Sequence, residues 1–271
     1  MQIICLVENT AAVPACTPAH GLSLFIETAH SRILMDAGPS PELLRANAEA
    51  LGVDLGSADC AVLSHGHYDH ADGLPAASGI PVYLHRRALG TFCSASPDGS
   101  RKYIGVSDAV RALPTLHPVE GLTRLTEDAF LFDGITGRRL WPAANLRLSA
   151  ETAQGHQQDP FDHELCLVVE ENGLRVLLSG CAHNGILNIL DRFGEVCGGV
   201  PDVVISGFHM KKSAGYSHEE EAEISQTAKE LTRFPCRFYT CHCTGLPAYE
   251  MMKEIMGAQL NYLACGDRLQ L

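Results

Sequence analysis

Long apolar runs are missing from this chain: none approaches the roughly 18 residues that a membrane span requires. Met1–Val7 has no basic flank and runs straight into a strand pattern, so no signal peptide is expected. Positive charge is scarce. Lys plus Arg number 20 against 32 Asp plus Glu, a net charge of −12. An acidic chain repels phosphate backbones at long range, which disfavours nucleic acid as a partner. Arg86-Arg87, Arg101-Lys102, Arg138-Arg139 and Lys211-Lys212 are the candidates for a locally basic cleft, with a solvated pair as the plain alternative for each. The Gly-x-Ser-x-Gly elbow, the phosphate-binding Gly-Lys loop and the dinucleotide fingerprint are absent. So are repeats of solenoid period and low-complexity linkers. The 11 cysteines are odd in number and lack a framework spacing, which suits free thiols in a reducing cytoplasm.

What is present supports a sizeable core: 46% of the 271 residues are hydrophobic and 19% charged. The economical division is one domain over residues 1–271. Short apolar strands alternate with helices, an α/β pattern. Strands are expected at Ile3–Val7, Leu22–Glu27, Arg32–Met35, Ala61–Ser64 and Pro81–Leu84. A hairpin is expected over Cys166–Glu170 and Leu174–Leu178, and later strands at Val203–Ser206, Arg237–Thr240 and Tyr262–Cys265. Ser40 and Pro41 open a helix that Gly52 stops. Ser217 and Glu220 make a capping box for a helix through Leu231. Further helices are expected at Ile186–Phe193, ending at Gly194, and at Pro247–Met256. Residues 90–150, rich in Gly, Pro, Ser and Asp, read as loops and edge strands flanking a pocket, with fragments at Tyr103-Ile104 and Ala129–Phe132.

The chemistry concentrates in His65-Gly66-His67-Tyr68-Asp69-His70, directly after a buried strand. Residues two apart in extended chain point the same way, so His65 and His67 can grip one ion. Gly66 relaxes the turn, and Asp69 and His70 then face a second ion. Imidazoles with a carboxylate suit zinc, iron or manganese better than magnesium or calcium.

This segment resembles the His-x-His-x-Asp-His signature of the metallo-β-lactamase superfamily, and Asp36 resembles that superfamily's first motif. The resemblance implies a four-layer αβ/βα sandwich with two divalent ions, zinc favoured, between its sheets at one edge. It implies that Asp36 steadies the metal loop and that His242 is the last ligand, on the second ion. Leu6-Val7-Glu8-Asn9, His20-Gly21-Leu22-Ser23, Ser179 to Ile186, Gly207-Phe208-His209-Met210 and His242-Cys243-Thr244-Gly245 resemble one branch. That branch is the 7,8-dihydropterin-6-yl-methyl-4-(β-D-ribofuranosyl)aminobenzene 5′-phosphate synthases. Cys181 stands where most superfamily members place a bridging Asp. His183 is the expected substitute ligand in its place, with the Cys181 thiolate as the alternative. Cys241 and Cys243 flank His242 in extended chain and should face away from the site, Cys243 being the likelier functional exception.

Two reactions would use these ligands. Hydrolysis needs a metal to activate water, with Asp69 binding metal and orienting the nucleophile. Transfer, the branch's reaction, has an aminobenzene nitrogen displace diphosphate from a dihydropterin carbon. Hydrolysis of a phosphorylated or pterin-like small molecule is the primary expectation. A metal-binding or redox-sensing protein without turnover is the third reading, resting on Cys181. His209 is expected to act on substrate as acid or base, kept neutral by Lys211 and Lys212, which would bind an anionic substrate. Gly207 and Gly215 bracket a segment expected to move over the pocket mouth. His20, Asp162, His163 and Glu164 are further candidates for the pocket, a plain loop being the alternative for the last three.

Overall fold

The structure, a computed structural model, describes residues 1–96, 98–212 and 215–271. Two seven-stranded sheets face each other. The first runs, in spatial order, Arg268–Gln270, Gln2–Val7, Ser23–Glu27, Arg32–Met35, Cys60–Leu63, Val82–His85 and Leu116–Val119. The second runs Leu260–Tyr262, Arg237–Thr240, Val203–Ser206, Leu174–Leu178, Cys166–Glu171, Ala129–Phe132 and Thr123–Arg124.

Period-two alternation explains the layering. On the first strand Ile3 and Cys5 pack inward against the second sheet, meeting Leu167, Val176 and Ile205. Ile4 and Leu6 point outward onto Leu44 and Ala48 of the helix Pro41–Ala50. The outer face of the second sheet is covered by the helices Ile186–Cys197, His218–Leu231 and Leu246–Met256. The result is the helix–sheet–sheet–helix sandwich.

Each sheet has a parallel half. Arg32–Met35, Cys60–Leu63, Val82–His85 and Leu116–Val119 are parallel neighbours. So are Leu174–Leu178, Val203–Ser206, Arg237–Thr240 and Leu260–Tyr262. In open α/β sheets the loops leaving the C-terminal ends of parallel strands build the site. Asp36, Ser64-His65, Cys181, His209 and His242 each follow such an end.

Some boundaries differ from expectation. The helix from Ile186 continues through Gly194 and ends at Gly198, whose φ of 69° lets the chain turn. The last strands are Leu260–Tyr262 and Arg268–Gln270 in place of Tyr262–Cys265; the final one pairs with Gln2–Val7. Between residues 92 and 158 a separate four-stranded sheet forms, ordered Gly155–Gln158, Leu148–Thr152, Phe92–Ala95 and Arg101–Tyr103. Its weak signal follows from its position: Arg101–Tyr103 and Gly155–Gln158 are exposed on both faces and so lack apolar alternation. The expected mobile segment from Gly207 to Gly215 includes residues 213–214, which lie outside the described residues. Among the described residues no helix is long and apolar enough to cross a membrane, and all eleven cysteines are free thiols.

Candidate metal centre

The loop after Cys60–Leu63 is held from behind by Asp36. Its Oδ1 accepts the Ser64 N–H at 2.8 Å, and its Oδ2 accepts the Ser64 hydroxyl at 2.7 Å and faces His70 Nδ1 at 2.6 Å. Gly66 serves a different purpose from the one expected. A Cβ there would fall 2.1 Å from the Ala88 carbonyl oxygen, so glycine is needed for close approach. His67 then caps a single helical turn, Tyr68–Ala71, which carries Asp69 and His70.

Two groups of donors result, each drawing on both sheets. His65, His67 and His183 bring their ligand atoms within 4.8 Å of one another, with His65 Nε2 3.3 Å from His183 Nε2. Asp69, His70 and His242 form the other. His70 Nε2 lies 3.2 Å from His242 Nε2, which lies 3.3 Å from Asp69 Oδ2. Tetrahedral zinc with Zn–N bonds of about 2.0–2.1 Å sets neighbouring ligand atoms about 3.3–3.4 Å apart. The observed separations match that spacing, so the residues fit the ion.

Cys181 does not stand aside. Its Sγ is 3.2 Å from His70 Nε2 and groups with both His65 and His70, one residue from each trio. The sulfur thus takes the place between the trios that the sequence reading gave to His183, while His183 joins His65 and His67. The loop's shape explains the exchange. Ala182 adopts φ 49°, and Glu164 accepts the N–H groups of both His183 and Asn184 at 2.7 and 3.0 Å. Cys243 also faces the cluster, grouping with Cys181 and His242. The expected strand alternation fails because His242–Thr244 is a 3₁₀ turn, entered with His242 at φ 48°. Cys241 packs in the core between the sheets.

The two trios differ electrostatically. Burial holds His65 and His183 well below the usual imidazole range, reinforced by neighbouring imidazoles, and brings His67 down to about 3. Burial also acts against charge on His70, but Asp36 overcomes it and raises the group to about 9. Burial would raise Asp69; its hydrogen bond to His242 and the charge of His70 instead hold it well below the ordinary carboxylate range.

Of the other candidates, His209 reaches the cluster. Its ring centroid is 4.2 Å from that of His183, its N–H reaches Cys243 Sγ at 3.3 Å, and its Nδ1 is buried without a partner. Lys212 donates to both carboxylate oxygens of Glu220, at 2.6 and 2.7 Å, so its expected role at substrate is not supported by its placement. Lys211 Nζ donates to His20 Nδ1 at 3.4 Å, and His20 Nε2 is 3.2 Å from Asp69 Oδ2. His163 accepts the Gly66 N–H at 3.1 Å and is braced by Asp159. Asp162 turns outward to Arg87. Three of the four arginines at 86–87 and 138–139 are paired with acids: Arg86 meets Glu120, Arg87 meets Asp162 and Arg139 meets Asp191, while Arg138 donates to the Asn184 side chain and the Pro160 carbonyl.

The sequence reading missed Asn145 as a site residue, and quoted Glu8 and Asn9 without giving them a chemical role. Asn145 lies in the irregular stretch and gives no local signal.

The sequence profile of the metallo-β-lactamase superfamily matches residues 16–210. A 7,8-dihydropterin-6-methyl-4-(β-D-ribofuranosyl)-aminobenzene-5′-phosphate synthase of Methanocaldococcus jannaschii is 26% identical over 279 residues, spanning 91% of this chain and 88% of its own length. An uncharacterized protein of the same organism is 25% identical, spanning 92% and 93%. The crystal structure of a metal-dependent hydrolase of the β-lactamase superfamily superposes with a TM-score of 0.82 at 29% identity, covering 100% of this chain and 99% of that one.

Proposed function

This chain belongs to the metallo-β-lactamase superfamily, and from that premise we propose that it is a metal-dependent hydrolase of a phosphorylated or pterin-like small molecule. One observation carries the proposal. Four buried imidazoles, His65, His70, His183 and His242, each have Nδ1 tied to a neighbour and turn Nε2 into one cluster. A histidine whose second nitrogen is fixed from behind is the usual form of a metal ligand.

His65, His67 and His183 are assigned to one divalent ion, and Asp69, His70 and His242 to a second, with Cys181 Sγ between them. Imidazole, carboxylate and thiolate donors together favour zinc over iron or manganese. When bound, the ions supply Lewis acidity, polarising a phosphoryl oxygen and lowering the pKa of water. Asp69, kept ionised, orients the attacking water. His209 faces His183 with a buried, unpartnered nitrogen and is assigned the proton transfer. Lys211, beside His20 at the edge of the Asp69 group, offers a positive charge to an anionic substrate in an acidic protein.

A second reading is supported by the synthase relative, which spans most of both chains: transfer to an aminobenzene nitrogen with loss of diphosphate. One assay series separates the two. Protein purified without chelator is tested for metal content, then for turnover of a generic phosphodiester and of a dihydropterin diphosphate with an aminobenzene phosphate, each with and without chelator. Chelator-sensitive phosphodiester cleavage supports the hydrolase. Diphosphate release that needs the aminobenzene partner supports transfer. Bound metal with no turnover on any of them would overturn both.

A further inference from the structure

His183 and His242 come from the second sheet, 59 positions apart in sequence by their numbers, and the same three-point arrangement holds both. For His183, Asn145 Nδ2 donates to its carbonyl oxygen at 2.7 Å, Asn145 Oδ1 meets its Nδ1 at 2.9 Å, and Glu164 Oε1 accepts its N–H at 2.7 Å. For His242, Asn9 Nδ2 donates to its carbonyl oxygen at 2.8 Å, Asn9 Oδ1 meets its Nδ1 at 3.0 Å, and Glu8 Oε1 accepts its N–H at 2.6 Å. In each residue every polar atom except Nε2 is engaged.

The amide geometry decides the tautomer. A backbone carbonyl can only accept, so the asparagine must turn its NH₂ towards it. Its oxygen then faces the imidazole and can only accept there. Nδ1 must therefore carry the proton, and Nε2 presents a bare lone pair to the cluster. The glutamate fixes the backbone so that the ring cannot swing away. At His242 that backbone is in the left-handed region, φ 48°, which a non-glycine residue adopts rarely. Glu8 is fully buried, and its carboxylate is saturated by Tyr262 Oη at 2.8 Å and by the Thr10 N–H and hydroxyl at 2.7 and 2.6 Å. Asn145 is likewise fully buried.

We propose that Asn9 and Asn145 are positioning residues that set the tautomer of one ligand each, Asn9 for the ion at Asp69, His70 and His242 and Asn145 for the ion at His65, His67 and His183. This rests on the metal assignment above. It also extends it, because each position acquires its own separable determinant outside the ligands themselves.

The test uses the full chain, zinc alone as probe, and two readouts. The first is the zinc affinity of each site in wild type, Asn9→Leu, Asn145→Leu and the double variant. Each single variant is expected to weaken one ion by roughly 10–100-fold, the usual cost of losing such a support, and to leave the other unchanged; the double variant weakens both. Asn9→Asp and Asn145→Asp keep an acceptor for Nδ1–H and should retain affinity better than leucine, which also covers a leucine variant that fails to fold. The second readout is the ring tautomer by nitrogen NMR: Nδ1–H at His183 and His242 in the wild type, lost at the matching residue in each leucine variant. A purely structural role would weaken both ions together and leave the tautomers alone. Unchanged affinities, equal loss of both ions from one substitution, or Nε2–H in the wild type would overturn the proposal. A wild type that takes up no zinc, with Nδ1–H still set by the asparagines, would instead sink the metal assignment and leave the tautomer role standing.

Discussion

The His65, His67 and His183 group and the Asp69, His70 and His242 group lie side by side, share the same construction from two sheets, and carry opposite electrostatics. In the first, all three side chains are imidazoles that burial keeps neutral, and His65 Nδ1 meets a neutral hydroxyl, Ser64 Oγ, at 2.9 Å. In the second, the Asp69 carboxylate lies among the imidazoles and Asp36 stands behind His70. The second-sheet member is clamped identically in both. The electrostatic difference comes from the loop after Cys60–Leu63, which gives two imidazoles to the first group and Asp69 with His70 to the second. A neutral trio leaves the full charge of a cation available to polarise a substrate, whereas carboxylates offset part of it and strengthen retention.

The largest expected effect comes from removing the ions altogether, which breaks both groups at once. Each position ties one sheet to the other, so ligand binding adds to folding stability. At a thousandfold excess over Kd one ion contributes about 4 kcal/mol. Urea unfolding of zinc-loaded and chelated protein should show a loss of that order; equal midpoints would mean that the cross-sheet cluster holds no metal. Next is His209→Ala, expected to lower kcat by roughly 10²–10⁴ with both ions retained. A variant that loses an ion would instead place His209 with the first group. Asp36→Asn compared with Ser64→Ala then probes the electrostatic contrast directly. Asp36→Asn should weaken the second ion by about 10–100-fold. Ser64→Ala removes a neutral hydrogen bond worth about 0.5–1.5 kcal/mol, at most roughly tenfold on the first ion. Reversed magnitudes would show that charge behind His70 is not what distinguishes the groups. The smallest effect is expected at Lys212→Ala. Its pair with Glu220 is partly exposed, so the stability change should stay below about 1 kcal/mol, with KM unaltered; Lys211→Ala should raise KM.

The first-sheet half of the site was readable in the sequence because it is local. His65, His67, Asp69 and His70 sit within one loop, and the spacing itself says which can converge. The second-sheet half was readable in residue identity but not in arrangement. His183, Cys181 and Cys243 were singled out, but strand alternation turned Cys243 away from the cluster it faces, and His183 was expected where Cys181 Sγ lies. Ala182, His209 and His242 each take a positive φ that turns the chain out of extended geometry, a conformation uncommon away from glycine that hydrophobic periodicity does not mark. Asn145 was invisible for another reason. It acts through one buried contact site from a short 3₁₀ turn, Ala143–Arg147, so neither periodicity nor neighbouring chemistry marks it. The two facing sheets were largely legible because strands buried on both faces read as near-continuous apolar runs.

Anomalous diffraction from crystals grown without chelator, recorded at the zinc and iron edges, tests the two-group arrangement most directly. The expected result is two zinc peaks, one among His65, His67 and His183 and one among Asp69, His70 and His242, with Cys181 Sγ between them. A single peak, or an ion held by His209 in place of His183, would contradict it.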